Sequence, residues 1–279
     1  LNRRCYLGKL EGLKPKIAIF DFDGVFEKPG TKKLYELFFE ELGRLNKGIR
    51  KRYDEIQRVD DTIKHPEDVR RAERGIVSIY RECGLKKKEF KEACLRAAYR
   101  LELTKGVEEC LRGMERMMYE VFIISGSPTL ALRYVGRRLG MDLERIHGTD
   151  YVFSRDGNFL GMYLMLGNRK RELRNLMFGE VSSSGCYVVF DDDPNLDAPL
   201  LRMGLNPVVI VGEEKVNGDL VITCPEARED MRRLIPLVKR FEYGWVCVNL
   251  RDLEKEVRIM EIGHKLRDAY EKGNKESFI

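Results

Sequence analysis

No cysteine of this chain stands in a C-x-x-C pair, although seven are present. An odd set without paired spacing does not read as a disulfide framework and predicts a reducing, cytoplasmic setting. Histidine occurs only three times, so a histidine-rich zinc site is excluded. No apolar run approaches the roughly 18 residues of a membrane span. The first residues, LNRRCYLGKLEGLKPK, carry no apolar stretch, which predicts a chain without a secretory leader. Charge of one sign is also scarce in excess. The 51 Lys and Arg against 46 Asp and Glu leave a net +5, too mild to demand nucleic acid as a partner.

What is present is enough apolar material for a sizeable core, 43% of the chain. Ile17-Ala18-Ile19-Phe20 is a short apolar run that ends at Asp21 and is followed by Gly24, Pro29 and Gly30. This predicts a buried strand and then a loop. Residues 31–117 change texture. Leu34, Leu37, Phe38, Leu42 and Leu45 recur at helical spacing, and further helices are predicted to open at Pro66-Glu67-Asp68 and run through Val69, Ile76, Val77 and Tyr80, through KKEFKEACLRAAYRLEL, and through VEECLRGMERMM. At 121 the pattern turns back. Val121–Ile124 predicts a strand ending at Ser125, TLALRYVGRRLG a helix, and Asp156-Gly157 a turn between two alternating runs. NRKRELRNLMFG predicts a helix, and Cys186–Phe190 a strand ending in Asp191-Asp192-Asp193. A short helix at 198–204, strands at 207–211 and 220–222, and helices from 226 onward complete the reading.

Strands that end in polar residues and alternate with helices predict a mostly parallel α/β sheet, with ligands beyond the carboxyl ends of the strands. The expected layout is a core over residues 1–30 and 118–223, a helical cap over 31–117, and a helical extension over 224–279 packed on the core.

Three strands converge on chemistry. Asp21 and Asp23 close the first, as a pair that can divide attack from proton transfer, or as two ordinary loop aspartates. Ser125 ends the second. Its hydroxyl, with the Gly126 amide, could bind an oxyanion, or could simply cap a helix. The 191–197 segment holds Asp191, Asp192, Asp193 and Asp197. Carboxylates so crowded repel one another unless a cation or strong donors sit among them, and oxygen-only donors suit Mg²⁺. The alternative is an acidic surface loop.

This order of motifs resembles the haloacid-dehalogenase-like superfamily: Asp-Phe-Asp-Gly, Ser after a strand, a Lys opening a helix, then an acidic loop after a strand. The resemblance covers roughly residues 15–30 and 119–223. SGSPTLALRYVGRRLG, the DGNFLG turn and DDDPNLDAPLLRMG are similar to the phosphoserine-phosphatase-like branch. It implies a Rossmann-like hydrolase core with an all-helical cap inserted between the first two motifs. It further implies a Mg²⁺-dependent phosphomonoesterase acting through an aspartyl phosphate on a small phosphorylated metabolite. Asp21 would be the nucleophile, and Asp23 the acid and then the base. Ser125 would hold a phosphoryl oxygen, and Lys170 would be the stabilising cation, with Arg169 and Arg171 as competitors. Gly24, Gly126 and Asn195 would meet the substrate. Asp21, the Asp23 carbonyl and Asp192 would hold the metal, with Asp193 as runner-up ligand and Asp197 as an outer partner.

The chain also departs from that branch. Gly24 and Val25 stand where small hydroxyl residues are usual, and Glu27 has no assigned place. The predicted cap carries Arg44, Lys47, Arg50, Lys51, Arg52, Arg70, Arg71 and Arg74, which could close over a phosphorylated molecule or be a solvated face. Phosphoryl transfer to another acceptor, a nucleic-acid or lipid-linked phosphate, and a non-catalytic binding module on the same fold remain the alternatives. The partner reading is a small phosphorylated substrate, with no membrane and no nucleic-acid face of aromatic platforms, and it leaves a homodimer open.

Overall fold

The computed structural model describes residues 16–28, 30–63, 68–103, 107–116, 119–178, 186–191, 206–211 and 244–247. By internal contacts the chain forms two compact units, one of Leu1–Phe20, Lys105–Phe122 and Lys170–Ile279, the other of Asp21–Thr104 and Ile123–Arg169. Among the described residues no helix is long and apolar enough to cross a membrane.

The first unit is built on parallel strands. β1 (Lys16–Phe20) pairs in parallel with β5 (Cys186–Asp191), with Ile17 opposite Tyr187 and Phe20 opposite Phe190. β5 pairs in parallel with β6 (Asn206–Val211). The first residues of β2 (Tyr119–Pro128) also belong here, and the strand order is β2-β1-β5-β6-β7. Ile17, Ala18, Ile19 and Phe20 are all buried, as a continuous apolar run in a two-sided parallel sheet requires. Burying each large side chain contributes about 1.5–3 kcal/mol. The last strand, β7 (Gly244–Cys247), runs antiparallel to β6. It falls inside the segment expected as a helical extension, where the sequence reading placed no strand. Four residues, Gly-Trp-Val-Cys, are too short to show a period, and pairing with β6 supplies what the pattern lacks. The expected helices at 198–204 and 226–241, the strand at 220–222 and the helical tail lie outside the described residues.

The second unit holds the rest of β2, the helix α7 (Thr129–Arg138), the hairpin of β3 (Ile146–Phe153) and β4 (Phe159–Tyr163), and a run of helices. β2 pairs in parallel with β3, and β3 antiparallel with β4 across the Asp156-Gly157 turn, where Gly157 takes a φ of 79°. β2 continues as strand through Pro128, past the expected end at Ser125. A register irregularity between Ile124 and Pro128 lets it resume pairing at Thr149.

The helices follow the predicted period: α1 (Leu34–Leu45), α2 (Lys47–Lys51), α3 (Tyr53–Asp60), α4 (Val69–Glu82) and α5 (Lys87–Arg100), with α6 (Val107–Arg116) in the first unit. α1 buries Leu34, Leu37, Phe38 and Leu42 on one face. It packs against α5, whose buried Ala93, Cys94, Ala97 and Ala98 are small enough for close approach. An aromatic seam joins these helices to the hairpin. Phe90 stacks on Tyr151 with ring centroids 4.4 Å apart, Phe38 meets Phe90 edge-on at 5.7 Å, and Tyr80 meets Phe159 edge-on at 5.6 Å. Main-chain bonds reinforce it: the Lys87 amide donates to the Gly157 carbonyl at 2.8 Å, and the Phe159 amide to the Leu85 carbonyl at 3.1 Å. Lifting the helices from the hairpin would expose this seam. Parallel strands alternating with helices, with helices inserted after the first strand, make a Rossmann-like α/β fold with a helical insert.

Candidate active site

β1 delivers Asp21 to the carboxyl edge of the sheet. The chain then turns at once: the amides of Val25 and Phe26 both donate to the Phe22 carbonyl, at 3.1 and 3.0 Å. Gly24 sits at a φ of 85°, a conformation that side chains with a Cβ resist. The turn holds Asp21 at 6% exposure and Asp23 at 8%, and the Phe22 amide donates to Asp21 Oδ1 at 2.7 Å.

Asp23 is gripped from β2. The Ser125 hydroxyl donates to Asp23 Oδ2 at 2.9 Å and the Ser127 hydroxyl to Oδ1 at 3.0 Å, while the Ser127 amide donates to Ser125 Oγ at 3.1 Å. Both serines are fully buried. The helix-cap reading of Ser125 is not met: α7 begins at Thr129, four residues later, and its N-terminal flanking residue is Pro128. Thr149 steadies the strand. Its hydroxyl donates to the Gly126 carbonyl at 2.5 Å and accepts from the Met165 amide at 3.1 Å. At Gly126 a Cβ would lie 2.7 Å from Leu166 Cδ2, so a side chain there would have to push the Leu166 side chain aside.

Glu27 completes the turn and is only 3% exposed. Its Oε2 accepts from the Gly24 amide at 2.7 Å and its Oε1 from the Leu34 amide at 3.1 Å. Burial first, then the charge and hydrogen bond of Asp23, hold its carboxyl well above the usual carboxylate range.

The three candidate cations separate. Lys170, third residue of α8 (Asn168–Phe178), is fully buried. Arg169 is committed elsewhere: its guanidinium pairs with Glu73, donates to the Leu164 carbonyl at 3.1 Å, and lies 4.1 Å over the Tyr163 ring. Arg171 is exposed. Asp192, Asp193, Asn195 and Asp197 lie outside the described residues. β5 ends at Asp191 and runs parallel to β1, with Phe190 opposite Phe20.

The donor set fits a hard divalent cation. Each Asp23 carboxylate oxygen accepts from a serine hydroxyl, and the donors the resemblance assigns to a cation here, the Asp21 carboxylate and the Asp23 main-chain carbonyl, are all oxygen. Among the described residues, no group of three or more His, Cys, Asp or Glu gathers.

The sequence reading missed Ser127 as a partner of Asp23, Thr149 as a brace and Glu27 as a buried acceptor. Ser127 shares a motif with Ser125, two residues apart on a strand, and that same-face spacing was the available signal. Glu27 had none, since nothing in its neighbours announces burial. Away from the turn, a cavity of about 470 Å³ in the insert is lined by Lys32, Arg44, Arg50 and Arg100 together with Phe39 and Tyr53. Of the basic residues singled out from sequence, Arg44 and Arg50 thus face a cavity, whereas Arg52 is held by Glu55 and Glu82.

No family model matches the chain, and a search of curated proteins finds no relative. Solved structures do match. A phosphoserine phosphohydrolase-like protein from Francisella tularensis subsp. tularensis SCHU S4 is 17% identical, with 87% of this chain and 100% of that one covered at a TM-score of 0.50. A protein of unknown function from Bordetella pertussis Tohama I is 15% identical, over 79% and 96% of the two chains at 0.53. Cytosolic 5'-nucleotidase IIIB bound to cytidine is 13% identical, over 90% and 86% at 0.50. At these identities the likeness speaks for the fold, the haloacid-dehalogenase-like arrangement of a Rossmann-like sheet with inserted helices.

Proposed function

We propose that the chain is a Mg²⁺-dependent phosphomonoesterase that forms an aspartyl phosphate on Asp21 and acts on a small phosphorylated molecule. The observation that carries this reading is the buried turn at the end of β1. It presents Asp21 at the sheet edge and Asp23 two residues on, with the Asp23 carboxyl held by two serine hydroxyls. A carboxyl held that firmly is oriented for proton transfer rather than left to wander in solvent. The resemblance of the sequence motifs and the fold of the relatives support the same assignment.

In the first step an Asp21 carboxylate oxygen attacks phosphorus and the bond from phosphorus to the leaving oxygen breaks. Asp23, protonated, gives its proton to that oxygen, and the alcohol departs. In the second step Asp23 takes a proton from water as the water oxygen attacks phosphorus. The bond to Asp21 breaks, and free phosphate leaves with the carboxylate restored. Ser125 would turn its hydroxyl from Asp23 to a phosphoryl oxygen, with Ser127 keeping Asp23 in place. The Gly126 amide and Asn195 would complete the phosphate cradle, with Gly24, whose amide is held by Glu27, only lining it. Lys170, the buried cation of the three, would offset charge on Asp21 and the phosphate. Mg²⁺, held by the Asp21 carboxylate, the Asp23 carbonyl and Asp192, with Asp193 as alternative and Asp197 in the outer sphere, would neutralise charge as it develops.

The test is turnover of a panel of phosphomonoesters, including phosphoserine, sugar phosphates and nucleotides, with Mg²⁺ and with chelator. Asp21→Asn should fold normally and lose at least about 10³-fold in kcat, roughly 4 kcal/mol of barrier. Near-normal turnover by that variant, or wild-type turnover untouched by chelator, would overturn the reading.

A further inference from the structure

We infer that Glu27 is a positioning residue: it aims the Asp23 carbonyl at the metal site and ties that carbonyl to the first helix of the insert. The inference rests on the proposed Mg²⁺-dependent reaction. It starts from a covalent constraint. The Gly24 amide and the Asp23 carbonyl belong to one peptide bond, which is planar and trans, so fixing the N–H fixes the direction of the C=O. Glu27 Oε2 accepts from that N–H at 2.7 Å. The positive φ of Gly24 frees this peptide from the constraints of ordinary backbone, so an external hold is what selects its orientation.

The other oxygen of the same carboxyl is also committed. Oε1 accepts from the amide of Leu34, the first residue of α1. The first amides of a helix have no partner within it; Glu36 takes the amide of Lys33, the residue before α1, at 2.8 Å. Glu27 supplies the acceptor for Leu34 from seven residues away, where a carboxyl is also favoured by the helix dipole. Both bonds use lone pairs present whether or not the carboxyl carries a proton.

Glu27 is itself clamped between the two crossings by which the insert leaves and rejoins the fold. It forms an antiparallel bridge with Leu103, and the Lys28 amide donates to the Glu102 carbonyl at 3.0 Å. A shift of the insert's first helix or of its crossings is therefore passed, through one buried side chain, to the peptide that offers its carbonyl to the metal. A glutamine cannot do this work, since its amide nitrogen donates and only one of the two backbone N–H groups keeps an acceptor.

The experiment measures Mg²⁺ itself as well as turnover. In Glu27→Gln, the Mg²⁺ concentration for half-maximal activity should rise about tenfold or more. The Mg²⁺ affinity read by calorimetry, in the absence of substrate, should fall by the same factor. At saturating Mg²⁺ the KM for the best phosphomonoester should stay within about threefold of wild type. Glu27→Asp, too short to span both amides, should behave like Glu27→Gln and not rescue. A purely structural glutamate would instead lower Tm and leave Mg²⁺ affinity within twofold, and that result overturns the inference. Should neither variant fold, amide exchange in the wild type decides: Gly24 and Leu34 should both be protected, and fast exchange at either overturns it. If the wild type neither binds Mg²⁺ nor turns over any ester, the proposed function falls and takes this inference with it. If the wild type does both and the variants keep wild-type Mg²⁺ affinity, only the inference falls.

Discussion

Two buried glutamates of the same unit live in opposite surroundings. Glu41, 1% exposed on α1, is met by the guanidiniums of Arg44 and Arg100, with Arg96 3.9 Å away. Glu27, 3% exposed, is met by two main-chain amides and lies against the Asp23 carboxyl. The first is compensated by cations whose side chains reach water, and it fastens α1 to α5. The second is buried beside a like group, with its pKa pushed up, in the turn that carries the candidate chemistry. Burial of a carboxyl therefore says little by itself. Its neighbours separate a structural clasp from a group placed under electrostatic tension at a site.

The largest expected difference between the two is in stability. Glu27→Leu orphans the buried Leu34 amide, at about 1–3 kcal/mol, and the part-buried Gly24 amide, at less. Glu41→Leu leaves only arginines that can turn to solvent, and should cost no more than about 1 kcal/mol. Urea denaturation of both variants checks this, and equal losses would erase the contrast.

A pH series sharpens it next, through a third carboxyl. Burial, with Asp61 nearby, raises Asp60 from 3.8 to about 6. The folded chain then holds a proton that the unfolded chain releases. Stability from this group is full below about pH 4 and is lost as pH rises through about 6, by on the order of 2–3 kcal/mol. Asp60→Asn should flatten that part of the curve, measured by unfolding at fixed temperature across pH 4–7. A wild-type curve that rises over this interval, unchanged in the variant, would refute the assignment.

Smaller still is the effect expected on catalysis from the compensated site. Glu41→Gln should leave kcat/KM within about twofold, some 0.4 kcal/mol. A tenfold loss would mean that the arginine clasp also shapes the site. Least of all, Arg96→Ala should change unfolding free energy by no more than about 0.5 kcal/mol, because its side chain is half exposed, its contact with Glu41 is long and its 2.8 Å pair with Glu92 is an exposed one within the helix. A larger change, erased by high salt, would promote Arg96 to a full member of the clasp.

Much of this molecule was legible from residue order. The apolar runs at 17–20, 121–124, 186–190 and 207–211 are strands because a buried parallel strand must be apolar on both faces. The helices between 34 and 116 follow their apolar spacing. Asp21, Asp23 and Ser125 were readable because polar residues that close apolar strands are exceptions to the local pattern. β7 was not readable, since four residues carry no period, and neither was the onward run of β2 past Ser125, which depends on pairing with Thr149.

The sequence by itself determined the four apolar strands, the helices between 34 and 116, and which polar residues stand at the ends of those strands, for these follow from periodicity along the chain. Only the tertiary structure decided that Ser127 joins Ser125 on Asp23, that Lys170 is buried while Arg169 serves Glu73, and that Glu27 is enclosed and Glu41 compensated. Each of those depends on what lies across a gap of tens of residues or around a turn. Desolvation and charge pairing are properties of that surrounding, and identical glutamates in a row of letters carry no mark of it.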